Sequence, residues 1–350
     1  MELGSEFNLD MQRLNFSETS FFEYMGNTNY RLFESGRSAL RALVPALGSG
    51  YILMPEYICD SVLKCFSSEL LIFYRLKNNL QIDADDLLSK INADTAVVYL
   101  MHYFGTMQSM DTCSLLQAKK EKYGFTIIED STHSIFSKKR TIGDYCVASL
   151  RKWFALPNGA VLYSDGNFQL PSDRIRRRSD HDKAYAMMLK TLCLEGALNC
   201  RAVYRKIFND CEDRLDTADG IWSISDFSAF LLRCTDVYEA IRRRKSNFRF
   251  LEDKLCTMGL APIGYFTEED CPFAFPVLVP DRDGFRQYLM DHSIYCAIHW
   301  PFDGSAHSER PMAQTLANSI LSLPIDQRYG EEEMSYLLSV IAAYKGRLIC

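Results

Sequence analysis

From about residue 30 onward, short apolar runs alternate with segments whose apolar positions recur at helical spacing. Residues 37–47 read as a helix after the Glu34-Ser35-Gly36 turn. Residues 51–54 read as a strand closed by Pro55, and residues 70–74 as another. Residues 83–91 read as a helix opened by Asp83 or Asp85. The run from Thr95 to Gly105 is apolar on both parities and rich in β-branched residues, as a strand covered on both faces should be. A helix over 110–122, capped by Ser109 or Asp111, ends before Gly124, and strands follow over 125–128, 147–150 and 160–163. Strands separated by helices imply βαβ units and a mostly parallel sheet, so the fold class is α/β. Chemistry in such sheets gathers past the carboxyl ends of the strands. Here those ends are Pro55-Glu56-Tyr57, His102 to Gly105, Glu129 to His133 and Arg151-Lys152-Trp153.

Beyond residue 170 the pattern turns helical and charged, with arginines at 174, 176, 177 and 178 and a basic run from Arg242 to Lys245. The first cluster suits either a nucleotide diphosphate or solvent, and the second reads as a solvated helix face. Strands are expected again over 273–279 and 294–300, and a helix over 331–344. The division expected is an N-terminal arm over 1–30, a large domain over 31–240 with a helical insert at about 170–235, and a small α+β domain over 241–350.

Composition narrows the class. Hydrophobic residues at 47% and charged residues at 24% of 350 are ordinary globular values. A net charge of −6 gives no reason to expect nucleic acid, and no apolar run has the length of a membrane span. The first residues lack the pattern of a secretory signal, so the expected place is the cytoplasm. The twelve cysteines form no C-x-x-C pair, and buried free thiols are expected rather than a zinc site. Glycine fingerprints of dinucleotide and P-loop enzymes are missing, as are the zinc-protease and serine-hydrolase motifs.

What remains is a carboxylate, Asp130, and a lysine, Lys152, at successive strand ends. A pyridoxal phosphate enzyme needs this pair, a lysine to bond the cofactor and a carboxylate to keep its pyridine nitrogen protonated. Its phosphate needs backbone N–H groups at a helix N-terminus, which the turn Ser35-Gly36-Arg37-Ser38 would supply, with Arg37 as counter-charge. Taken singly, Asp130 is more often a cap, Lys152 a surface charge and His133 a structural hydrogen-bonder; their order and spacing favour the cofactor.

Residues 31–165 resemble the DegT/DnrJ/StrS sugar-nucleotide aminotransferases, pyridoxal phosphate enzymes of fold type I. Ser35 to Leu40 is similar to the S-G-T-x-A-L phosphate loop, with Arg37 in place of threonine. Tyr51 to Tyr57 resembles the strand and proline before the cofactor-facing loop, His102 to Gly105 the H-x-[YF]-G motif, and Ile128 to His133 the I-E-D-x-A-[QH] motif. Gly143-Asp144, Ser149, Lys152 and Gly159 resemble the G-D…S-F…K…G-G segment. Leu321 to Ile325 and the expected strand over 273–279 resemble the family more loosely. The resemblance implies a large domain with a mostly parallel sheet and a small α+β domain, and the cofactor pyridoxal 5′-phosphate. Lys152 would bond the cofactor, Asp130 pair with the pyridinium nitrogen and His133 contact the ring hydroxyl. Gly36, Arg37, Ser38 and Ser149 would hold the phosphate. The family's stacking aromatic falls on Cys59, so Tyr57, the nearest aromatic, is expected against the ring. Arg151, next to Lys152, is expected to favour the lysine's deprotonated form.

The resemblance further implies a homodimer that aminates a keto-sugar nucleotide with glutamate as donor. The setting of Arg151-Lys152-Trp153 is similar to that of a branch serving surface polysaccharide such as O-antigen. Departures lie on the substrate side. Two residues rather than four separate Ser149 from Lys152, Ala160 replaces a glycine, and Gly220 to Asp226 stands where the family has G-x-N-x-R. They keep open another amine or amino-acid reaction, or a non-catalytic binding module.

Overall fold

The structure is a computed structural model that describes residues 2–138, 142–166, 175–176, 181–301, 310–346 and 348. The chain forms two compact units, one of residues 1–5, 48–143 and 239–350, the other of 6–47 and 144–238.

In the first unit, strands Thr126–Asp130, Thr95–Met101, Tyr51–Pro55 and Leu71–Tyr74 lie in that order, all parallel, with Met101 beside Asp130 and Val98 beside Ile127. Every residue of Thr95–Met101 is buried, as the unbroken apolar run predicts. The strand ends at Met101 rather than running to Gly105, because the chain turns at Phe104 and Gly105. Helix Ala84–Lys90 is capped by Asp83, whose carboxylate accepts from the Asp86 amide. Helix Met110–Tyr123 is capped by Ser109 and closed by Gly124 in the left-handed region at φ +75°, where glycine carries no Cβ penalty.

The rest of this unit pairs Phe275–Leu278 antiparallel with Ile320–Leu323, under helices Arg282–Asp291 and Glu331–Ala343. Phe248, Leu251, Phe275, Phe285, Leu321 and Leu337 are among its core residues. The strand expected over 294–300 shrinks to Ile294–Tyr295, which pairs parallel with Leu3–Gly4. The basic run Arg242–Lys245 is not uniformly solvated. Arg242 and Arg243 ion-pair with Glu239, but Arg244 is buried and donates to the Phe273 carbonyl at 2.7 Å and to Gln327 Oε1 at 3.0 Å.

The second unit carries the antiparallel strands Asn29–Phe33, Ala160–Ser164 and Tyr145–Ser149, in that order. This local reversal is invisible to hydrophobic periodicity, which is the same for parallel and antiparallel buried strands. Helix Gly36–Leu43 follows and is shorter than expected, because Pro45 carries the chain into the 3-10 turn Val44–Ala46. Helices His181–Leu194, Arg201–Thr217 and Asp226–Arg233 form the helical segment. The N-terminal arm is ordered against this unit: the Leu9 amide donates to the Met187 carbonyl at 3.1 Å, and Thr191 Oγ1 donates to the Leu9 carbonyl at 2.7 Å.

Candidate active site

The motif residues of the first unit hold one another. Neighbouring residues on a strand point to opposite faces, so Glu129 and Asp130 do different things. Glu129, fully buried, forms a short contact with His102 and accepts from the Ile142 and Gly143 amides at 2.9 and 2.7 Å. Burial alone would raise its pKa, but the imidazole and the two amides more than offset that and lower it. The Gln108 amide donates to His102 Nδ1, which leaves the Nε2 proton for Glu129. His102, Glu129 and Gly143 belong to three sequence motifs and make one clasp. Gly105 has a separate reason: a Cβ there would come 2.3 Å from the Cys271 carbonyl oxygen.

Asp130 is 5% exposed at the carboxyl end of Thr126–Asp130. Its Oδ2 accepts from the Tyr99 hydroxyl at 2.8 Å and its Oδ1 from the Thr132 amide at 2.9 Å. Each oxygen retains a second lone pair, so the carboxylate can also receive a pyridinium N–H. Tyr99 escapes a sequence reading because a strand buried on both faces shows no alternation to single it out; burial and the Asp130 charge push its phenol pKa well up.

His133 is fully buried, and Phe273 lies flat on it at 4.2 Å and 7°. Trp300 is nearly parallel at 5.4 Å and His299 stands edge-on at 5.1 Å. The segment His299-Trp300 therefore packs on a motif residue rather than ending a strand. The Phe104 amide donates to His133 Nδ1 at 3.4 Å, which puts the proton of a neutral ring on Nε2, a donor suited to a phenolic oxygen. Tyr57 is buried against Tyr103, 6.0 Å between centroids, and is tilted on Trp300 at 5.3 Å. Cys59 caps the turn Asp60–Leu63 and contacts Ser61 Oγ at 3.0 Å.

The second unit brings together the phosphate-loop and lysine segments. Ser35 caps Gly36–Leu43 by accepting from the Ser38 amide at 3.2 Å. Glu34 and Gly159 are tied by an amide-to-carbonyl bond of 2.7 Å. A Cβ on Gly36 would meet nothing within 4 Å, so open space stands over the helix start. Ser38 Oγ accepts from the Trp222 amide at 3.3 Å, and the Glu34 amide donates to the Trp222 carbonyl at 2.9 Å. The segment in place of G-x-N-x-R thus docks on this chain's own Glu34–Ser38 turn. Arg37 is buried and pairs with Asp216 at 2.5 Å; Asp216 is 63% exposed, so water already weakens its hold on the guanidinium.

Ser149 ends the strand Tyr145–Ser149, and Lys152 closes the 3-10 turn Leu150–Lys152. Buried Leu150 and Trp153 flank that turn, and the Leu150 amide donates to the Gly159 carbonyl at 3.0 Å. Arg151, the cation expected beside Lys152, carries a counter-charge of its own. Its Nη1 meets Glu212 Oε1 at 2.5 Å, and Lys183 reaches the same oxygen at 2.6 Å. Glu212 comes from the helical segment sixty residues on, where no motif marks it. Of the first basic cluster, Arg176 sits in the short strand Ile175–Arg176, 5.8 Å over the Trp222 ring; Arg174, Arg177 and Arg178 lie outside the described residues.

Among the described residues, no three His, Cys, Asp or Glu side chains are grouped to hold a metal ion, and no helix is long and apolar enough to cross a membrane. The eleven described cysteines are free; five are buried and Cys256 is exposed, so the expectation of buried thiols holds in part.

The DegT/DnrJ/EryC1/StrS aminotransferase family model matches residues 12–150. A dTDP-3-amino-3,6-dideoxy-α-D-galactopyranose transaminase of Aneurinibacillus thermoaerophilus is 23% identical over 287 residues, 76% of this chain and 70% of its own length. A pleiotropic regulatory protein of Geobacillus stearothermophilus is 21% identical over 276 residues, 75% of this chain and 69% of its own. Streptococcus pneumoniae Spr1654 in its PLP form shares the fold at a TM-score of 0.69 and 14% identity, with 97% of each chain covered. S. venezuelae DesV does so at 0.67 and 16%, covering 96% of this chain and 91% of its own. The architecture is therefore that of fold type I, the α/β fold of pyridoxal phosphate-dependent transferases. Pyridoxal 5′-phosphate is the cofactor of the matched family. Within the first unit a buried carboxylate with lone pairs to spare and an imidazole with Nε2–H suit its ring; within the second a lysine just past a strand and open space over a serine-capped helix start suit its aldehyde and its phosphate. Residues 12–150 thus match the DegT/DnrJ/EryC1/StrS aminotransferase family, over the same stretch whose motifs resemble it.

Proposed function

We propose that the protein moves an amino group from glutamate to a keto-sugar nucleotide, as a cytoplasmic homodimer serving surface polysaccharide such as O-antigen. The observation that carries the chemistry is Asp130, a buried carboxylate held in position by Tyr99 and Thr132 with capacity left for a cationic ring N–H. The resemblance to the family and to the transaminase relative supports a sugar substrate.

In this reading Lys152 bonds the cofactor, and Asp130 faces its pyridine nitrogen. His133 Nε2–H meets the ring hydroxyl, and Tyr57 packs against the ring. Gly36, Arg37, Ser38 and Ser149 hold the phosphate, with Arg37 exchanging Asp216 for it. Bound pyridoxal phosphate supplies an electron sink that acidifies the donor's α-carbon. Lys152 Nζ, once displaced by the donor, takes the α-proton as general base and returns it as general acid. Stacked Phe273 and Trp300 keep the His133 ring from turning, which holds its Nε2–H on one line.

The test is amine transfer to a panel of dTDP- and UDP-linked keto-sugars, with Lys152→Ala beside the parent. Transfer by the parent and none by the variant is expected; full activity in the variant sinks the scheme. A second reading, another amine or amino-acid reaction on the same cofactor, is favoured by the docking of Trp222 on Glu34 and Ser38. It predicts a cofactor that reacts with an amine while no keto-sugar is aminated.

A further inference from the structure

Arg151 and Lys183 share one carboxylate beside the lysine turn. Arg151 is adjacent to Lys152 in the turn Leu150–Lys152, and its backbone amide donates to the Gly159 carbonyl at 3.3 Å. Its guanidinium meets Glu212, and the Glu6 and Asp216 carboxylates act on it from the arm and from helix Arg201–Thr217. Lys183, 5% exposed on helix His181–Leu194, makes its close contact with the same Glu212 and a looser one of 3.8 Å with Glu6. Arg151, Lys183 and Glu212, with Asp182 and Arg214, line a cavity of about 290 Å³. Asp182 and Arg214 pair with each other at 2.9 Å on its exposed rim.

One carboxylate thus serves two cations, and one of them is the sequence neighbour of Lys152. The two cations hold the Glu212 pKa down to about 2 against the opposing effect of burial. Glu212 is therefore charged throughout the working pH range. Without it, two positive charges would stand beside the lysine turn, with Glu6 and Asp216 left, among the described residues, to act on Arg151. A like charge disfavours the protonated form of a neighbouring nitrogen.

We propose that Glu212 is a positioning residue for Lys152: by clasping Arg151 and Lys183 it fixes the residue next to the lysine and cancels the charge that would otherwise drive the lysine's nitrogen to lose its proton. The inference rests on the assignment of Lys152 as the cofactor-bonding lysine.

The test is a pH titration of the visible band of the lysine-bound cofactor in the full-length protein loaded with pyridoxal phosphate. It reports the nitrogen directly, without turnover. E212Q removes the carboxylate charge at nearly constant shape, and the band's pKa is expected to fall by about half a unit to one unit. K183M removes one cation and should move it the other way. The double variant E212Q/K183M keeps the charge balance and should return close to the parent value, whereas a purely structural role would leave it no better than E212Q. D182N, in the exposed rim pair, should leave the band unmoved. Should E212Q not fold, K183M and the double variant carry the test with the same signs. A parent band whose pKa ignores both Glu212 and Lys183 overturns the proposal. A parent protein with no such band overturns the Lys152 assignment itself, and this inference with it.

Discussion

The Asp130 end and the Lys152 end of the chain are built on different principles. Around Asp130 the polar contacts run within and between sequence motifs, His102 to Glu129, Glu129 to Gly143 and Thr132 to Asp130, and Gly105 lies close against Cys271. His102, Glu129, Asp130, Thr132 and Gly105 are buried and Gly143 is half-buried, so these contacts are part of the packed core. Around Lys152 the partners come from outside the motifs. Glu212 and Asp216, one helical turn apart on Arg201–Thr217, reach Arg151 and Arg37. That region is polar, partly solvated and bordered by a cavity. The carboxylate end is held by its own motifs, whereas the partners of the lysine end come from a helical segment outside them.

Substitutions can break this contrast. The largest effect is expected at the lysine itself: Lys152→Ala should lower amine transfer by roughly 10²–10⁴-fold while leaving the melting temperature near that of the parent. Loss of folding instead of activity would make the turn structural. Next comes Glu129→Ala, which leaves His102 and two amides without their buried acceptor. A loss of about 3–5 kcal/mol in chemical denaturation is expected, and a loss below about 1 kcal/mol would remove the clasp from the account.

Glu212→Ala should cost less, about 1–3 kcal/mol, since its carboxylate is 37% exposed and shared with water. The sign of its pH dependence follows from a folded pKa of about 2 against the ordinary 4.5. The stabilisation is fully present above about pH 4.5 and drains away as pH falls toward 2. The stability gap between parent and Glu212→Ala, measured by denaturation at successive pH values, should close over that window; a gap constant down to pH 2 contradicts the pairing. The smallest effect on stability is expected for Gly36→Ala. Its Cβ enters open space at a helix start, so stability should stay within about 0.5 kcal/mol while pyridoxal phosphate binds more weakly. Unchanged cofactor affinity would take the phosphate away from this helix.

The same contrast explains what could be read from the chain alone. The strands of the first unit and their order in sequence were legible, because a buried parallel strand is a continuous apolar run and its helices carry Asp83, Ser109 and Gly124 as local stops. Asp130 and His133 were legible because contiguous motifs carry them. The Phe273 and Trp300 stack was not, since both residues lie some 140 positions or more away and nothing local ties them to His133. Tyr99 was hidden by its own strand's uniform burial. The partner of Arg151 was not legible for a similar reason: a basic neighbour is visible in sequence, whereas the carboxylate that pairs with it comes from a helix without a motif. The antiparallel turn of Tyr145–Ser149 against Ala160–Ser164 depends on what its connecting chain can reach, which periodicity does not record.

The most direct measurement is the visible absorption spectrum of the purified protein with pyridoxal phosphate, before and after glutamate, for the parent and for Lys152→Ala. The account predicts a band of lysine-bound cofactor in the parent, absent from the variant, that glutamate converts to the aminated form of the cofactor. A parent without the band, or a variant that keeps it, contradicts the central claim that Lys152 bonds the cofactor.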